Sequence, residues 1–127
     1  MVIRVGTNTI TANSGAVMAA PTGNAALFFC RAYLNYNGQH GSIRGQKGIT
    51  SVTNVDVGLY RVFFANAMAD SSYTTIGSAN GADVSILPIV SVNQGNDQTD
   101  SYVDIYTTGG VNGTPTDFYN VNVAIFS

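Results

Sequence analysis

Short runs of alternating polar and apolar residues fill most of the chain after residue 26. The clearest of them are the runs 27–36, 49–55, 59–64 and 118–126. A period of two residues is typical of a half-buried β-strand, and no run shows the 3.6-residue stripe of an amphipathic helix. The pattern therefore predicts an all-β protein.

Turn signals separate these runs. Asn37-Gly38 is the dipeptide best suited to a tight turn with both central residues at positive φ, and the segment 56–58 separates two runs that would form a hairpin. Pro88 predicts an edge or bulged strand around it, and 107–116 is predicted to be a long loop. Further strands are predicted at residues 1–5, 42–44, 72–77, 83–92 and 101–106.

The number and spacing of these runs define the expected fold class. They predict an antiparallel β-sandwich, jelly-roll-like, with about seven to nine strands. Residues 27–127 would form this sandwich, and residues 1–26 would form an N-terminal arm that contains the first strand. We also expect Cys30, which lies in an apolar run, to be a small buried hydrophobic residue.

The small number of charged residues limits the classes of molecule that the protein is expected to bind. The 127 residues include only twelve charged ones and no Glu, with a net charge of −2. A nucleic-acid-binding protein needs clustered Lys and Arg, whereas the five here are scattered. No apolar run is long enough to cross a membrane, and no secretory signal follows Arg4. We therefore expect no nucleic-acid partner, no membrane insertion and synthesis in the cytoplasm.

Few residues are suited to catalysis or metal binding. His40 is the single histidine and lies in a Gly-flanked segment, so we expect an exposed loop residue. Asp97, Asp100 and Asp104 offer carboxylates that could bind calcium, but their spacing matches no known loop, and a solvated polar loop is the simpler interpretation. We predict no catalytic residue, no metal site and no cofactor, and hence a protein that is not an enzyme.

The turns are the best candidates for binding. Exposed Asn, Gly, Ser and Tyr make adaptable contact surfaces, although the simpler interpretation of the tyrosines is that they are half-buried strand residues. The candidate binding residues at the turn tips are Asn37, Gly38, Gln39, His40, Asn80, Gly81, Asn112 and Gly113.

Several motifs in a fixed order resemble a small domain of tailed-phage structural and tail-fibre proteins, notably those of marine and cyanobacterial phages. The resemblance covers residues 26–127, except for the loops 78–100 and 107–117. The motifs that carry it are Cys-Arg-Ala-Tyr-Leu-Asn-Tyr-Asn-Gly at 30–38, Ser-Ile-Arg at 42–44, Ile-Thr-Ser-Val at 49–52, Gly-Leu-Tyr-Arg-Val-Phe-Phe at 58–64, Ala-Met-Ala-Asp-Ser-Ser-Tyr at 67–73 and Val-Asn-Val-Ala-Ile-Phe at 121–126.

The resemblance implies a bacteriophage virion structural protein, displayed on the particle surface. It would be a tail or fibre-tip module in host attachment, with other virion proteins as partners and a host surface glycan as a further partner. Fibre proteins usually form homotrimers, so an oligomer is expected. The alternative is a capsid decoration protein, or knob, which would bind the major capsid protein through residues 1–26 and contact no receptor.

Overall fold

The structure is a computed structural model that describes residues 2–5, 8–11, 30–81, 88–92, 98–110 and 112–127. The described part is all-β, and nine of its eleven strands form two antiparallel sheets that pack together. The predicted β-sandwich is thereby confirmed. Several predictions lie outside the described residues: the N-terminal arm at residues 1, 6–7 and 12–26, the start of the first long strand at 27–29, the run 83–87 and Asp97.

A separate two-stranded sheet precedes the sandwich, formed by β1 (Val2–Val5) and β2 (Asn8–Thr11). The sandwich strands are β3 (Cys30–Asn37), β4 (Ser42–Lys47), β5 (Ile49–Asp56), β6 (Leu59–Phe64), β7 (Thr74–Asn80), β8 (Ile89–Val92), β9 (Tyr102–Gly109), β10 (Thr114–Pro115) and β11 (Asn120–Phe126).

The sandwich strands form two layers. Sheet I has the order β4-β3-β11-β7. In sheet II, β5 pairs with β6, β6 with β9, and β9 with β8 and the short β10. Ile105 of β9 pairs with Tyr60 of β6 and with Val92 of β8. The strands β6 and β8 therefore lie on opposite sides of β9.

Alternating residues from both sheets form the core. From sheet I, β3 and β11 point their buried side chains inward, and from sheet II, β6 and β9 do the same. The ring of Tyr36 meets the ring of Tyr60 edge to face, with centroids 5.3 Å apart, and joins the layers. The core residues of these four strands are Ala32, Leu34, Tyr36, Tyr60, Val62, Phe64, Val103, Ile105, Val121, Val123 and Ile125.

Two regions contain strands that the sequence did not predict. Residues 8–11 belong to β2, because Thr9, Ile10 and Thr11 are β-branched residues that favour extended structure. The predicted loop 107–116 is wrong at both ends, since β9 continues to Gly109 and Thr114 pairs back onto it.

The expectation that Cys30 is buried is wrong. It is exposed at the first residue of β3, where its thiol donates a hydrogen bond to the carbonyl oxygen of Ala32 at 3.1 Å. Its neighbours in the same alternation, Ala32 and Leu34, are buried as predicted. The strand period assigned the face correctly, but at the end of a strand there is less sheet to cover a side chain.

Residues 89–92 form an edge strand, which is one of the two alternatives predicted around Pro88. Pro88 immediately precedes β8, and within the described residues β8 pairs by its backbone only with β9. The described part of the chain contains no helix whose length and hydropathy would let it span a membrane.

Candidate functional site

All the predicted binding turns lie at one end of the sandwich, which we call the loop end. Asn120 pairs with Asn80, and Val121 pairs with Tyr36, so the turn after β3 and the last residue of β7 flank the start of β11. The N–H of Gly38 donates to the carbonyl oxygen of Phe118 at 2.9 Å. Strand pairing thus gathers turns that are more than 70 residues apart in the chain.

The turn after β3 differs from the tight turn predicted there. Asn37 pairs with Ser42, which leaves a four-residue connection, and the residue with positive φ is Gly41 (66°), not Asn37 or Gly38. The side-chain oxygen of Asn37 accepts hydrogen bonds from the backbone N–H groups of Gln39 (3.1 Å) and His40 (3.2 Å). This side-chain cap stabilises the wider turn.

A buried tyrosine and a carboxylate anchor the loop end. The hydroxyl of Tyr60 donates to Oδ1 of Asp117 at 2.5 Å, and the N–H of Gly58 donates to the same oxygen at 2.8 Å. The hydroxyl of Thr107 donates to the carbonyl oxygen of Thr116 at 2.7 Å. Burial, followed by the hydrogen bond to Asp117, raises the pKa of Tyr60 well above its ordinary value of 10.0. The hydroxyl therefore remains a donor at neutral pH.

Two glycines permit the close contacts of this anchor. A Cβ on Gly38 would lie 2.4 Å from the Tyr60 hydroxyl, and one on Gly58 would lie 2.4 Å from the carbonyl oxygen of Thr107. Gly58 also has a φ of 70°, which disfavours any other residue. These contacts explain why glycine follows β3 and precedes β6.

The candidate residues fall into two groups. Asn37 and Gly38 are buried and hold the turn in place, so they support binding residues and do not contact a partner themselves. Asn80 is the last residue of β7, not part of a free loop. The exposed candidates are Gln39, His40, Asn80, Gly81, Asn112 and Gly113.

The described acidic residues do not assemble into a metal site. Asp104 binds Arg61 through both carboxylate oxygens at 2.8 Å, while Oδ1 of Asp100 accepts a hydrogen bond from the Ser101 hydroxyl. Within the described residues, no group of three potential metal ligands occurs.

A second surface was not predicted. The outer face of sheet I contains a groove of about 290 Å³, lined mainly by residues of β3, β7 and β11. The strand register places Ala124 between Tyr33 and Ile76, and Asn122 between Asn35 and Ser78. Alternation did mark Tyr33 and Asn35 as sharing a face. However, which strands lie beside them depends on pairing that alternation does not encode.

Comparisons with protein-family models, curated proteins and solved structures find no match for this chain. The resemblance to tailed-phage domains therefore remains a prediction from the motifs quoted above.

Proposed function

We propose that this protein is a structural, non-enzymatic module on the surface of a bacteriophage particle, and that it contacts the host envelope with its loop end. The observation that carries the proposal is the gathering of three separate turn regions at one end of a rigid sandwich. Binding residues are often presented on loops that a rigid scaffold positions.

The motifs of the resemblance support the proposal because they form the framework under the loop end. The run 30–38 makes β3 and its turn, and the run 58–64 supplies Gly58 and Tyr60 of the anchor. The exposed residues of the loop end lie mostly outside these runs. A shared framework with variable tips is expected of modules that meet different host surfaces.

The other partners follow from the same proposal. The module would attach to tail or fibre proteins and assemble as a homotrimer. The runner-up is a capsid decoration protein, and the observation that favours it is the β1–β2 sheet, whose backbone pairing is separate from that of both sandwich sheets. Such an element is suited to an arm that binds the head shell.

Cryo-electron microscopy of purified particles that carry this chain tests the location. Density for the sandwich at the tail or fibre tip, with the loop end outward, is the expected result. Density on the capsid face would replace the proposal with the runner-up. Absence of the chain from the particle would overturn both.

Attachment of the purified chain to host cells tests the loop end. We expect the double variant Gln39→Ala, His40→Ala to lose attachment, because both side chains are exposed on the turn after β3. The control is Asn66→Ala, an exposed residue in the connection after β6 at the opposite end. Equal attachment by both variants would contradict a role for the loop end.

A further inference from the structure

We infer that the groove on the outer face of sheet I binds a neutral glycan. This inference deepens the proposed function and rests on it, since it names the class of ligand that a surface module would recognise. It assigns the ligand to a sheet face and not to the turn tips. The argument comes from the shape of the groove, its exposed ring, its amides and its lack of charge.

The groove is similar in volume to the smallest ligand pockets. Its volume of about 290 Å³ lies near the lower limit for ligand pockets, which begin at about 300 Å³. Tyr33 and Ile76 stand on the strands that flank β11, and the small Ala124 lies between them. Two strand spacings separate the flanking residues by roughly 10 Å. The floor can therefore hold a sugar ring between an aromatic and an aliphatic wall.

The ring of Tyr33 is available for stacking. Tyr33 is 47% exposed as a residue, and so is Tyr119. The guanidinium of Arg44 covers the Tyr119 ring at 4.0 Å from its centroid, whereas among the described residues no cation or second ring lies on Tyr33. The negative face of an aromatic ring attracts the slightly positive C–H groups of a sugar. A sugar can therefore stack on the ring of Tyr33, whereas the ring of Tyr119 is already covered by Arg44.

Neutral amides lie beside that ring. Nδ2 of Asn35 donates to Oδ1 of Asn122 at 2.5 Å, and Nδ2 of Asn122 donates to Oγ of Ser78 over a long 3.4 Å. Oδ1 of Asn35 has no partner among the described residues, but it is buried and therefore closed to a ligand. The groups left for a ligand are the second N–H groups of Asn35 and Asn122, since each Nδ2 uses one donor within the row. A carboxamide has two donors and an acceptor with two lone pairs, so this row retains hydrogen-bonding capacity. Sugar hydroxyls both donate and accept, and they match it.

The lack of charge in the lining of the groove favours a neutral glycan over an anionic one. No acidic or basic side chain is among its lining residues in the described part of the chain. Three cations lie near its rim: Lys47 pairs with Tyr33, Arg31 precedes Tyr33 by two residues on the same face of β3, and Arg44 donates to the side-chain oxygen of Asn120, two residues from Asn122. A neutral ligand gains nothing from these cations, so its affinity should be independent of salt, whereas an anionic glycan would be attracted by all three and would bind more weakly as salt rises.

Amide chemical shifts in NMR titrations provide the test. The probes are neutral oligosaccharides of glucose, galactose, mannose and N-acetylglucosamine, with oligogalacturonate as the anionic comparison. We expect a neutral oligosaccharide to shift the amides of Gly77, Asn122 and Ala124, with the same affinity at low and high salt. No shift at these amides with any neutral probe at millimolar concentration would overturn the inference, as would binding of oligogalacturonate alone.

Matched variants show which side chains carry the binding. Tyr33→Ala should weaken it by about tenfold or more, the loss of one favourable ring contact, while Tyr33→Phe keeps the ring and most of the affinity. Tyr119→Ala, with equal exposure, should change nothing. Ala124→Leu fills the floor and should abolish binding with the other walls intact. Equal losses in Tyr33→Ala and Tyr119→Ala would overturn the assignment.

The outcomes separate this inference from the proposed function. A chain that lies on the capsid face and still binds a neutral glycan in the groove would refute the tail-tip proposal alone. A chain at the tail tip whose groove binds none of the probes would refute the glycan inference alone.

Discussion

The outer faces of the two sheets differ in how their polar side chains are paired. On sheet II, Arg61 binds both carboxylate oxygens of Asp104 at 2.8 Å, and its guanidinium lies 4.2 Å from the centroid of the Tyr102 ring. Phe63 packs against that ring with centroids 5.8 Å apart. The side chain of Asp104 is consequently only 3% exposed, although it points away from the core.

On sheet I the corresponding positions carry neutral amides. Asn35 and Asn122 are half-buried, and Oδ1 of Asn35 lacks a partner among the described residues. A bidentate ion pair under an aromatic ring satisfies its members internally, whereas a row of amides keeps donors and acceptors for another molecule. The difference suggests that one face stabilises the sandwich and the other is available for recognition.

Breaking the ion pair should have the largest effect on stability. Arg61→Ala leaves the Asp104 carboxylate without its charged partner in a nearly solvent-free position, and we expect the free energy of unfolding to fall by about 3 kcal/mol. Urea denaturation measures the change. Arg31→Ala, at the exposed start of β3, should stay within about 0.5 kcal/mol of the parent. Similar losses in both variants would contradict a structural role for the pair.

Sheet I should tolerate an added methyl group at one glycine and not at another. A Cβ on Gly77 would lie 2.3 Å from Cγ1 of Val90, a residue of sheet II, while nothing lies within 4 Å of a Cβ on Gly45. We expect Gly77→Ala to cost about 2 kcal/mol through overpacking. Gly45→Ala should be neutral or slightly stabilising. Thermal denaturation of both variants tests whether the groove floor depends on the close approach of β8.

Alkaline pH should weaken the core between the two faces. Burial and a nearby charge raise the pKa of Tyr73, and burial with the Asp117 hydrogen bond raises that of Tyr60, both above 10.0. The folded state then holds these protons longer than the unfolded state, so their contribution is complete below pH 10 and is lost as pH rises further. The expected loss is about 1 kcal/mol per tyrosine between pH 10 and pH 11.

Phenylalanine variants identify the source of that alkaline loss. Urea titrations of Tyr60→Phe and Tyr73→Phe at several pH values above 10 should show a shallower decline than the parent. An unchanged slope in both variants would assign the alkaline response to other groups.

The smallest effect on stability is expected at Asn122, in the middle of the amide row. Asn122→Ala removes the acceptor of Asn35 Nδ2 and should cost about 1 kcal/mol or less, because water can reach this half-exposed face. Its effect on glycan binding should be larger than its effect on unfolding. A loss of stability comparable to that of Arg61→Ala would mean that both faces are structural.

Alternation predicted the parts of the fold that depend on a single strand. It separated the two faces of β6 and of β11, and the structure shows that the face of β6 with Tyr60, Val62 and Phe64 is the buried one. It also put Asp104 on the face of Tyr102, but it could not show that Arg61 buries it, because that contact joins residues 43 positions apart.

Long-range contacts explain the failures. The expected tight turn at Asn37-Gly38 is wrong because Gly38 is held against Tyr60 and Phe118. The groove was not predicted because the pairing of three strands is what places Tyr33, Ala124 and Ile76 side by side. Alternation within a strand predicts which side chains share a face of the sheet. The pairing between strands determines which residues of other strands lie beside them.

The exposed thiol of Cys30 has a practical consequence. It belongs to the single cysteine of the chain, and it lies where β3 pairs with the last residue of β11, at the end of the sandwich away from Asn37. A maleimide linker on this atom would attach every molecule to a solid support in the same orientation. The turns around His40 and Asn112 would then face the solution, with a uniform geometry on a biosensor chip.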